Sequence, residues 1–248
     1  MVVFFRRGLV LDSGYAAWML HHPIRAVSFD AGGTLLHPHP RVGMIYAEVM
    51  GRHGLNLSPD DLEAAFHRAW TKALQASRLG VSEESERDWW RAVVREVLQG
   101  LGEPTDFEAL FEDLWVTFAD PERWRLYGGA LETLDALRRR GYRLLVVSNW
   151  DKRLRQLMAG LRVAPFLEHL VISSEVGFEK PDRRIFETAQ TRLDLPSTEI
   201  LHVGDSPYHD AEGAEAAGWQ WVLIAGESAA DGPRCHVKQL TELLGLLP

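Results

Sequence analysis

From Gly128 onward, the sequence alternates short apolar segments with segments of helical periodicity, and this alternation restricts the fold more than any other feature. Strands that alternate with helices predict a parallel sheet that is covered on both faces. The fold class is therefore α/β, a doubly wound Rossmann-like parallel sheet, with its ligand site beyond the carboxyl ends of the strands. The predicted strands are IRAVSFD (residues 24–30), YRLLVVSN, HLVISS, EILHVGD and WQWVLIAG, and VKQLTELLGLL is predicted to close the chain as a helix.

A stretch of helical character interrupts this alternation after the first predicted strand. Between Pro38 and Arg125 three segments repeat apolar residues at helical spacing, and none of them is a convincing strand. We therefore predict a helical insertion at residues 38–125 within a core domain formed by residues 23–37 and 126–248. The length of 248 residues fits a core of this kind with one sizeable insertion.

Residues 1–22 precede the recognisable fold and are predicted to be an N-terminal extension. Arg6, Arg7 and Asp12 break its apolar runs, so it makes a poor signal peptide. Met19 is an alternative start of the protein, because the recognisable fold begins just after it.

The overall composition argues against several kinds of partner. A net charge of −8 without a basic stripe disfavours binding to nucleic acid or to an anionic membrane. No apolar stretch is long enough to span a bilayer. Cys235 is the only cysteine, so no intrachain disulfide can form and a reducing cytoplasm is the simplest setting. We expect a cytoplasmic protein that acts on a small molecule.

Polar side chains stand at the ends of three predicted strands and in the loop after a fourth. In chain order they are Asp30 with Thr34, Ser148 with Asn149, Lys180, and Asp205 with Asp210. Because the carboxyl ends of parallel strands meet at one edge of a sheet, we expect these side chains to converge.

The residue types in this set indicate phosphoryl chemistry. Carboxylates at one point repel each other unless a cation is present, and oxygen donors without a His or Cys cluster favour Mg²⁺. A carboxylate can also attack phosphorus and form an acyl phosphate, with the cation bridging nucleophile and phosphate. The hydroxyl of Ser148 and the ammonium of Lys180 would hold the remaining phosphoryl oxygens. We therefore expect a small phosphorylated substrate.

Four segments, FDAGGTLL, VVSNW, FEKPD and VGDSPYHD, resemble in this order the four motifs of the haloacid dehalogenase superfamily. The resemblance covers nearly the whole chain from Ile24, and the WW pair of the insertion and the stretch SNWDKRL point to one little-characterised branch of it. It implies a Mg²⁺-dependent hydrolase in which Asp30 is the nucleophile. It also implies that the helical insertion is a cap domain, which opens and closes over the site.

The resemblance assigns a role to each of the other polar residues. Those that would position or bind the substrate phosphate are Thr34, Gly33, Ser148, Asn149 and Lys180. Those that would hold the metal are Asp30, the backbone carbonyl of Gly32, Asp205 and, directly or through water, Asp210.

One position departs from the pattern of the superfamily. Most of its phosphatases carry a second Asp two residues after the nucleophile, where this chain has Gly32. That acid transfers protons, and such help is typically worth about 10² to 10⁴ in rate. In one interpretation the protein is a phosphatase whose proton transfer lies elsewhere, or whose substrate has a good leaving group.

Two other interpretations stay open. Hydrolases of C–halogen bonds and of C–P bonds also lack the second Asp. The C–halogen hydrolases, however, lack the acids that this chain has at Asp205 and Asp210. The C–P hydrolases need a Schiff-base lysine in the cap, where Lys72 is the only lysine and is expected to be exposed. The last interpretation is a weakly active descendant that binds a phosphorylated ligand.

Histidine and tryptophan carry weaker signals. No metal-ligand spacing relates the histidines that bracket the first motif, so we expect solvated loop residues. These histidines are His21, His22, His37 and His39. His202 falls in a predicted strand and is expected to be a hydrogen-bonded core residue. The tryptophans at helical spacing in the insertion are expected to pack there, with one or two lining the substrate cleft; they are Trp70, Trp89, Trp90, Trp115 and Trp124.

Overall fold

The computed structural model describes residues 2–5, 9–12, 23–75, 80–224 and 235–247. Met19, proposed above as an alternative start, lies outside these residues, as do His21 and His22.

An eight-stranded sheet forms the core of the protein, in the strand order β1-β2-β10-β9-β8-β3-β6-β7. Its strands are β1 (Val2–Phe5), β2 (Leu9–Asp12), β3 (Ala26–Phe29), β6 (Arg143–Ser148), β7 (His169–Ile172), β8 (Ile200–Gly204), β9 (Gln220–Ile224) and β10 (Cys235–Val237). The six strands from β10 to β7 run parallel, and the hairpin β1–β2 adds two antiparallel strands at one edge. A separate ribbon pairs β4 (Leu36–Pro38) with β5 (Trp124–Leu126).

Helices cover both faces of this sheet and form the insertion. The helices of the insertion are α1 (Val42–Arg52), α2 (Pro59–Gln75), α3 (Glu83–Leu98) and α4 (Phe107–Thr117). Those of the core are α5 (Ala130–Arg139), α6 (Arg153–Gly160), α7 (Ser173–Val176), α8 (Arg183–Leu193), α9 (Gly213–Ala216) and α10 (Leu243–Leu246), and a π-helix spans Pro207–Glu212.

Side-chain caps define where several of these helices begin. The Ser82 hydroxyl accepts a hydrogen bond from the Ser85 amide, and the Ser85 hydroxyl accepts one from the Ser82 amide, so α3 starts with a reciprocal capping box. Asp106 caps α4 and Asp182 caps α8 through their carboxylates. Such caps satisfy amides that have no partner within the helix.

Successive residues of the central strands enter different hydrophobic clusters. In β6, Leu144 and Val146 join one cluster, whereas Leu145 and Val147 join the cluster on the other side of the sheet. Since side chains alternate along a strand, both faces of the sheet are buried under helices. The predicted doubly wound architecture is confirmed.

The insertion has a hydrophobic core of its own. Tyr46, Leu62, Val93 and Phe111 belong to a cluster built from all four of its helices. The chain enters this lobe through β4 and leaves it through β5, so the ribbon is the covalent link to the core domain.

Two predictions of secondary structure are wrong at the ends of segments. Residues 38–125, where no strand was expected, include Pro38 of β4 and Trp124 and Arg125 of β5. The closing segment was expected to be helical from Val237, but Val237 pairs with Ile224 in the sheet and the final helix spans only Leu243–Leu246. Strands of three residues are too short to show the alternation by which strands are recognised.

Candidate active site

The site lies where β3, β6 and β8 end side by side. Asp30 follows β3 directly, Ser148 is the last residue of β6, and Asp205 follows β8. The backbone amide of Asp30 donates to the carbonyl of Val203 at 2.8 Å, which fixes the end of β3 against β8. The parallel register therefore brings the predicted residues to one edge of the sheet, as expected.

Lys180 lies between two carboxylates and is almost completely buried. Its ammonium donates to Asp30 Oδ1 at 2.6 Å and to Asp210 Oδ1 at 2.5 Å. Ser148 donates its hydroxyl to the same Asp30 oxygen at 3.0 Å. Burial acts to lower the pKa of Lys180, but the charges of Asp210 and Asp30 outweigh it and raise that pKa above its usual value. Lys180 is therefore a cation held at the carboxylate of Asp30.

The same contacts affect the two carboxylates in opposite directions. Burial raises the pKa of Asp30, and the attraction of Lys180 only partly offsets this. Burial acts on Asp210 in the same sense, yet Lys180 and His202 outweigh it and hold the pKa of Asp210 well below its usual range. Asp210 is thus the permanently ionised partner of Lys180.

Asp210 uses its oxygens fully within the protein. Oδ1 accepts from Lys180 and lies 3.0 Å from His202 Nε2, and Oδ2 accepts from the amides of Asp205 and Ser206. A carboxylate has about four lone-pair positions, and these four contacts occupy them. Of the two roles expected for Asp210, the indirect one, through water, fits this arrangement.

His202 is a hydrogen-bonded core residue, as expected. Its side chain is fully buried, with Nδ1 3.0 Å from the hydroxyl of Ser28 and Nε2 directed at Asp210. Burial lowers the pKa of His202. The neutral ring can then donate from Nε2 to Asp210 and accept from Ser28 at Nδ1. These two hydrogen bonds hold Asp210 in place.

Carboxylate oxygens of Asp30, Asp205 and Asp210 all lie within 4.8 Å of one another. Among the residues that the structure describes, no other group of three or more His, Cys, Asp or Glu side chains has spacing that could hold a metal ion. Burial and the charges of Asp30 and Asp210 raise the pKa of Asp205 to about 7. Hard oxygen donors that repel each other fit a divalent cation such as Mg²⁺.

The turn after Asp30 is shaped for close approach. Gly33 has φ +84°, and a Cβ on it would lie 2.4 Å from Asp205 Oδ2, so only glycine fits there. The next residue, Thr34, is buried, and its hydroxyl has no hydrogen-bond partner in the protein. An unpaired buried hydroxyl is costly, which fits a group whose partner is a ligand.

Asn149 contacts the backbone of Lys180 in both directions. Its Nδ2 donates to the Lys180 carbonyl at 2.9 Å, and its Oδ1 accepts from the Lys180 amide at 2.7 Å. Asn149 was expected to bind substrate. In the structure both polar ends of its side-chain amide contact the Lys180 backbone, and its role toward a substrate stays a prediction.

Gly32, the position of the missing acid, lies under the ring of Trp150. A Cβ on Gly32 would come within 3.0 Å of Trp150 Cζ3. The Trp150 backbone is fixed by hydrogen bonds with Ser173 and Ser174, and its ring packs on Trp124 at 5.3 Å between centroids. The indole therefore takes space that a side chain at residue 32 would need.

A cavity of about 800 Å³ extends from Asp30 into the insertion. Of the tryptophans expected to pack in the insertion, all five border it: Trp70, Trp89, Trp90, Trp115 and Trp124. His37 also borders this cavity, with its ring centre 4.8 Å from that of Tyr127 and 52° between their planes, whereas His39 is exposed. Lys72 is exposed, pairs with Glu96 at 2.7 Å and is absent from the cavity wall, in agreement with its expected position.

In the described part of the chain, every helix is too short or too polar to cross a bilayer.

Comparisons with known proteins agree with this geometry. The family model "haloacid dehalogenase-like hydrolase" matches residues 24–218. The human haloacid dehalogenase-like hydrolase domain-containing protein 3 is 32% identical over 235 residues, which are 91% of this chain and 93% of that protein. The rhythmically expressed gene 2 protein of Drosophila melanogaster is 27% identical, with 83% and 85% covered.

Solved structures show the same fold at lower identity. YfnB from Bacillus subtilis, a protein of this superfamily bound to magnesium, superposes with a TM-score of 0.70 at 20% identity, covering 91% of this chain and 99% of that one. A haloacid dehalogenase-type phosphatase from Thermococcus onnurineus gives 0.61 at 24% identity, covering 90% and 98%.

The chain therefore belongs to the haloacid dehalogenase-like hydrolase family and is a hydrolase. Within the superfamily it falls in the branch of the haloacid dehalogenase-like hydrolase domain-containing protein 3 relatives, which is the branch that its sequence resembles.

Proposed function

We propose that the protein is a Mg²⁺-dependent phosphatase that acts on a small phosphorylated metabolite through an aspartyl-phosphate on Asp30. The observation that carries this proposal is the arrangement around Asp30 Oδ1, which accepts hydrogen bonds from both Ser148 and Lys180. A nucleophile and two donors for phosphoryl oxygens thus lie together, beside the carboxyl groups of Asp205 and Asp210.

The proposed reaction has two displacements. A carboxylate oxygen of Asp30 forms a bond to phosphorus while the bond from phosphorus to the ester oxygen breaks, and the released alcohol takes up a proton. Water then attacks the aspartyl-phosphate, which releases inorganic phosphate and restores the carboxylate. Ser148, Lys180 and the unpaired hydroxyl of Thr34 would donate to the phosphoryl oxygens.

The metal site is proposed for residues that already stand together. Asp30, Asp205 and the backbone carbonyl of Gly32 would hold Mg²⁺, and Asp210 would act through water. Bound there, the cation would neutralise phosphate charge and favour the ionised form of Asp30. The magnesium bound by YfnB supports this choice of ion.

We assign proton transfer to His37, since Gly32 has no side chain that could supply it. His37 borders the cavity that contains Asp30, on the strand that follows the nucleophile loop. Its Nδ1 lies 3.0 Å from the Pro38 carbonyl, which can only accept, so Nδ1 carries the hydrogen and Nε2 the lone pair in the neutral ring. Such a ring can exchange a proton at Nε2.

The other interpretations receive less support. A C–P hydrolase needs a lysine in the insertion that reaches the substrate, but Lys72 is exposed and paired with Glu96. A C–halogen hydrolase lacks the acids that this chain has at Asp205 and Asp210.

The insertion, residues 38–125, would serve as the cap domain that selects the substrate.

The test is a panel of phosphate monoesters and acyl phosphates, assayed with Mg²⁺ and with EDTA, for the native protein and for Asp30→Asn. We expect turnover only with the native protein and Mg²⁺, and a loss of about 10³-fold or more in the variant. Binding without turnover would identify a phospho-ligand-binding descendant. Turnover that survives in Asp30→Asn would overturn the proposal.

A further inference from the structure

The cavity above Asp30 has two chemically different ends. Its floor is formed by the polar residues of the strand ends, including Ser148, Lys180 and Asp205. Its wall in the insertion is formed largely by aromatic rings, which include those of Phe66, Trp70, Trp89, Trp90 and Trp115. A volume of about 800 Å³ leaves space for an organic group far larger than phosphate.

The ring of Trp70 lies at the centre of this aromatic set, in contact with three of its other rings. It lies 5.9 Å from the ring of Phe66, with 24° between their planes, and 5.5 Å from Trp90, with 33° between planes. Phe66 and Trp90 pack against the hydrophobic core of the insertion, whereas Trp70 lies outside that cluster as the structure describes it. Its indole, which also lies 5.4 Å from Trp89 in an edge-on contact, borders the cavity.

Charged side chains on the insertion side of the cavity are already engaged. Arg153 donates to both oxygens of Asp151 and to the Trp115 carbonyl, and its guanidinium lies 3.4 Å from the centre of the Trp115 ring. His67 stands 3.5 Å from Glu63. The buried carboxylate of Glu86 also borders the cavity in the insertion. At the aromatic rings themselves, a sugar or polyol would lose hydrogen bonds to water and find replacements only at indole N–H groups.

We propose that the substrate of this site is a phosphate monoester whose organic part carries a flat aromatic group. The aromatic group would lie along Phe66, Trp70 and Trp90 in offset or edge contacts while the phosphate reaches Asp30. This inference rests on the proposed phosphatase function, which it narrows to a class of substrate.

Substrates with matched leaving groups can test the preference. We would compare 2-(2-naphthyl)ethyl phosphate, glucose 6-phosphate and ethyl phosphate, each an ester of a primary alcohol. We expect kcat/KM for the naphthyl ester to exceed that for glucose 6-phosphate by about tenfold or more, a difference of about 1.4 kcal/mol. Higher activity on glucose 6-phosphate would overturn the inference and leave the phosphatase proposal standing.

Variants show whether the preference comes from the aromatic wall. Trp70→Leu should remove most of the advantage of the naphthyl ester, mainly through KM, so that the ratio of its kcat/KM to that of ethyl phosphate falls. Trp221→Leu, which removes a tryptophan of β9 outside the cavity wall, is the matched control and should keep the preference. An unchanged preference in Trp70→Leu would contradict the proposed position of the ring.

A binding measurement separates this inference from the proposed reaction. Calorimetry with 2-(2-naphthyl)ethylphosphonate and ethylphosphonate needs no turnover, and Asp30→Asn can be measured in the same way. We expect the naphthyl compound to bind at least tenfold more tightly to the native protein, but not to Trp70→Leu. If no ester is hydrolysed but this difference holds, the phosphatase proposal fails and the aromatic site remains; equal binding overturns the aromatic site.

Discussion

The floor and the wall of the cavity are built in different ways. At the floor, Asp30, Lys180 and Asp210 are buried, and each is fixed by hydrogen bonds within the core domain. The wall belongs to a lobe with its own hydrophobic core, joined covalently through a two-stranded ribbon. The comparison shows a hydrogen-bonded cluster of buried charges at the floor and, at the wall, an aromatic lining that belongs to a lobe with a separate hydrophobic core.

Asp205 tests the floor, and we expect the largest effect there. Asp205→Asn should lower kcat/KM by about 100-fold, because a metal ion typically supplies several kcal/mol of charge stabilisation. Mg²⁺ at 100 times its Kd should stabilise the native protein by about 2.7 kcal/mol, or roughly 5–10 °C in Tm for this size. Calorimetric scans with and without Mg²⁺ measure this shift, which Asp205→Asn should lack.

Asp106→Asn is the matched control for that experiment. It removes one carboxylate at the cap of α4, where Asn caps as well as Asp, and should change neither the rate nor the Mg²⁺ shift. A full Mg²⁺ shift in Asp205→Asn would show that the ion binds elsewhere.

His37 lies at the boundary between floor and wall. We expect His37→Gln to lower kcat by about 10- to 100-fold on alkyl phosphates, whose leaving oxygen needs a proton. On 4-nitrophenyl phosphate, which has a good leaving group, the loss should be much smaller. His39→Gln, an exposed neighbour outside the cavity wall, should have no effect. Equal losses on both kinds of substrate would assign His37 a structural role.

The contact between Gly32 and Trp150 provides a second test at this boundary. Gly32→Asp alone should lower Tm and give no gain in rate, because its Cβ would press on the indole. Combined with Trp150→Leu, we expect about a tenfold gain on alkyl phosphates, from proton transfer by the restored acid.

Gly32→Ala separates the two effects of that change, since it adds the Cβ without the carboxyl group. A large gain in Gly32→Asp alone, with Tm unchanged, would mean that the indole moves aside easily and does not occupy the place of the acid.

The smallest effect is expected where the insertion rests on the core. Glu83 Oε1 accepts from the Lys152 amide at 2.9 Å and from the hydroxyl of Ser174. Glu83→Gln should raise KM about two- to fivefold by weakening this contact, with kcat nearly unchanged. The exposed neighbour Glu84 provides the control as Glu84→Gln. A large fall in kcat would show that the position of the lobe also controls the chemical step.

Much of the floor could be predicted from the sequence. Asp30, Ser148 and Asp205 stand at the ends of strands that are long and apolar enough to recognise, and parallel topology then forces them together. The fold class and the family followed from the same segments.

The rest depends on contacts that no local pattern encodes. Asn149 acts on the backbone of Lys180, 31 residues away, so a loop asparagine alone gave no sign of it. Trp150 lies over Gly32 only because Ser173 fixes its backbone. The wall of the cavity could not be predicted in detail, since helical spacing shows that a tryptophan packs but not which surface it meets.

The buried ammonium of Lys180 has a consequence for how ligands assemble. Its single positive charge faces the carboxylates of Asp30 and Asp210, and Asp205 adds a third carboxyl group at the rim, so the site has a surplus of negative charge when all three are ionised. A phosphate dianion should therefore bind weakly on its own. If the protein binds phosphate and a divalent cation as proposed, each must change the affinity of the other by the same factor, since such coupling is reciprocal, and their opposite charges favour binding as a pair.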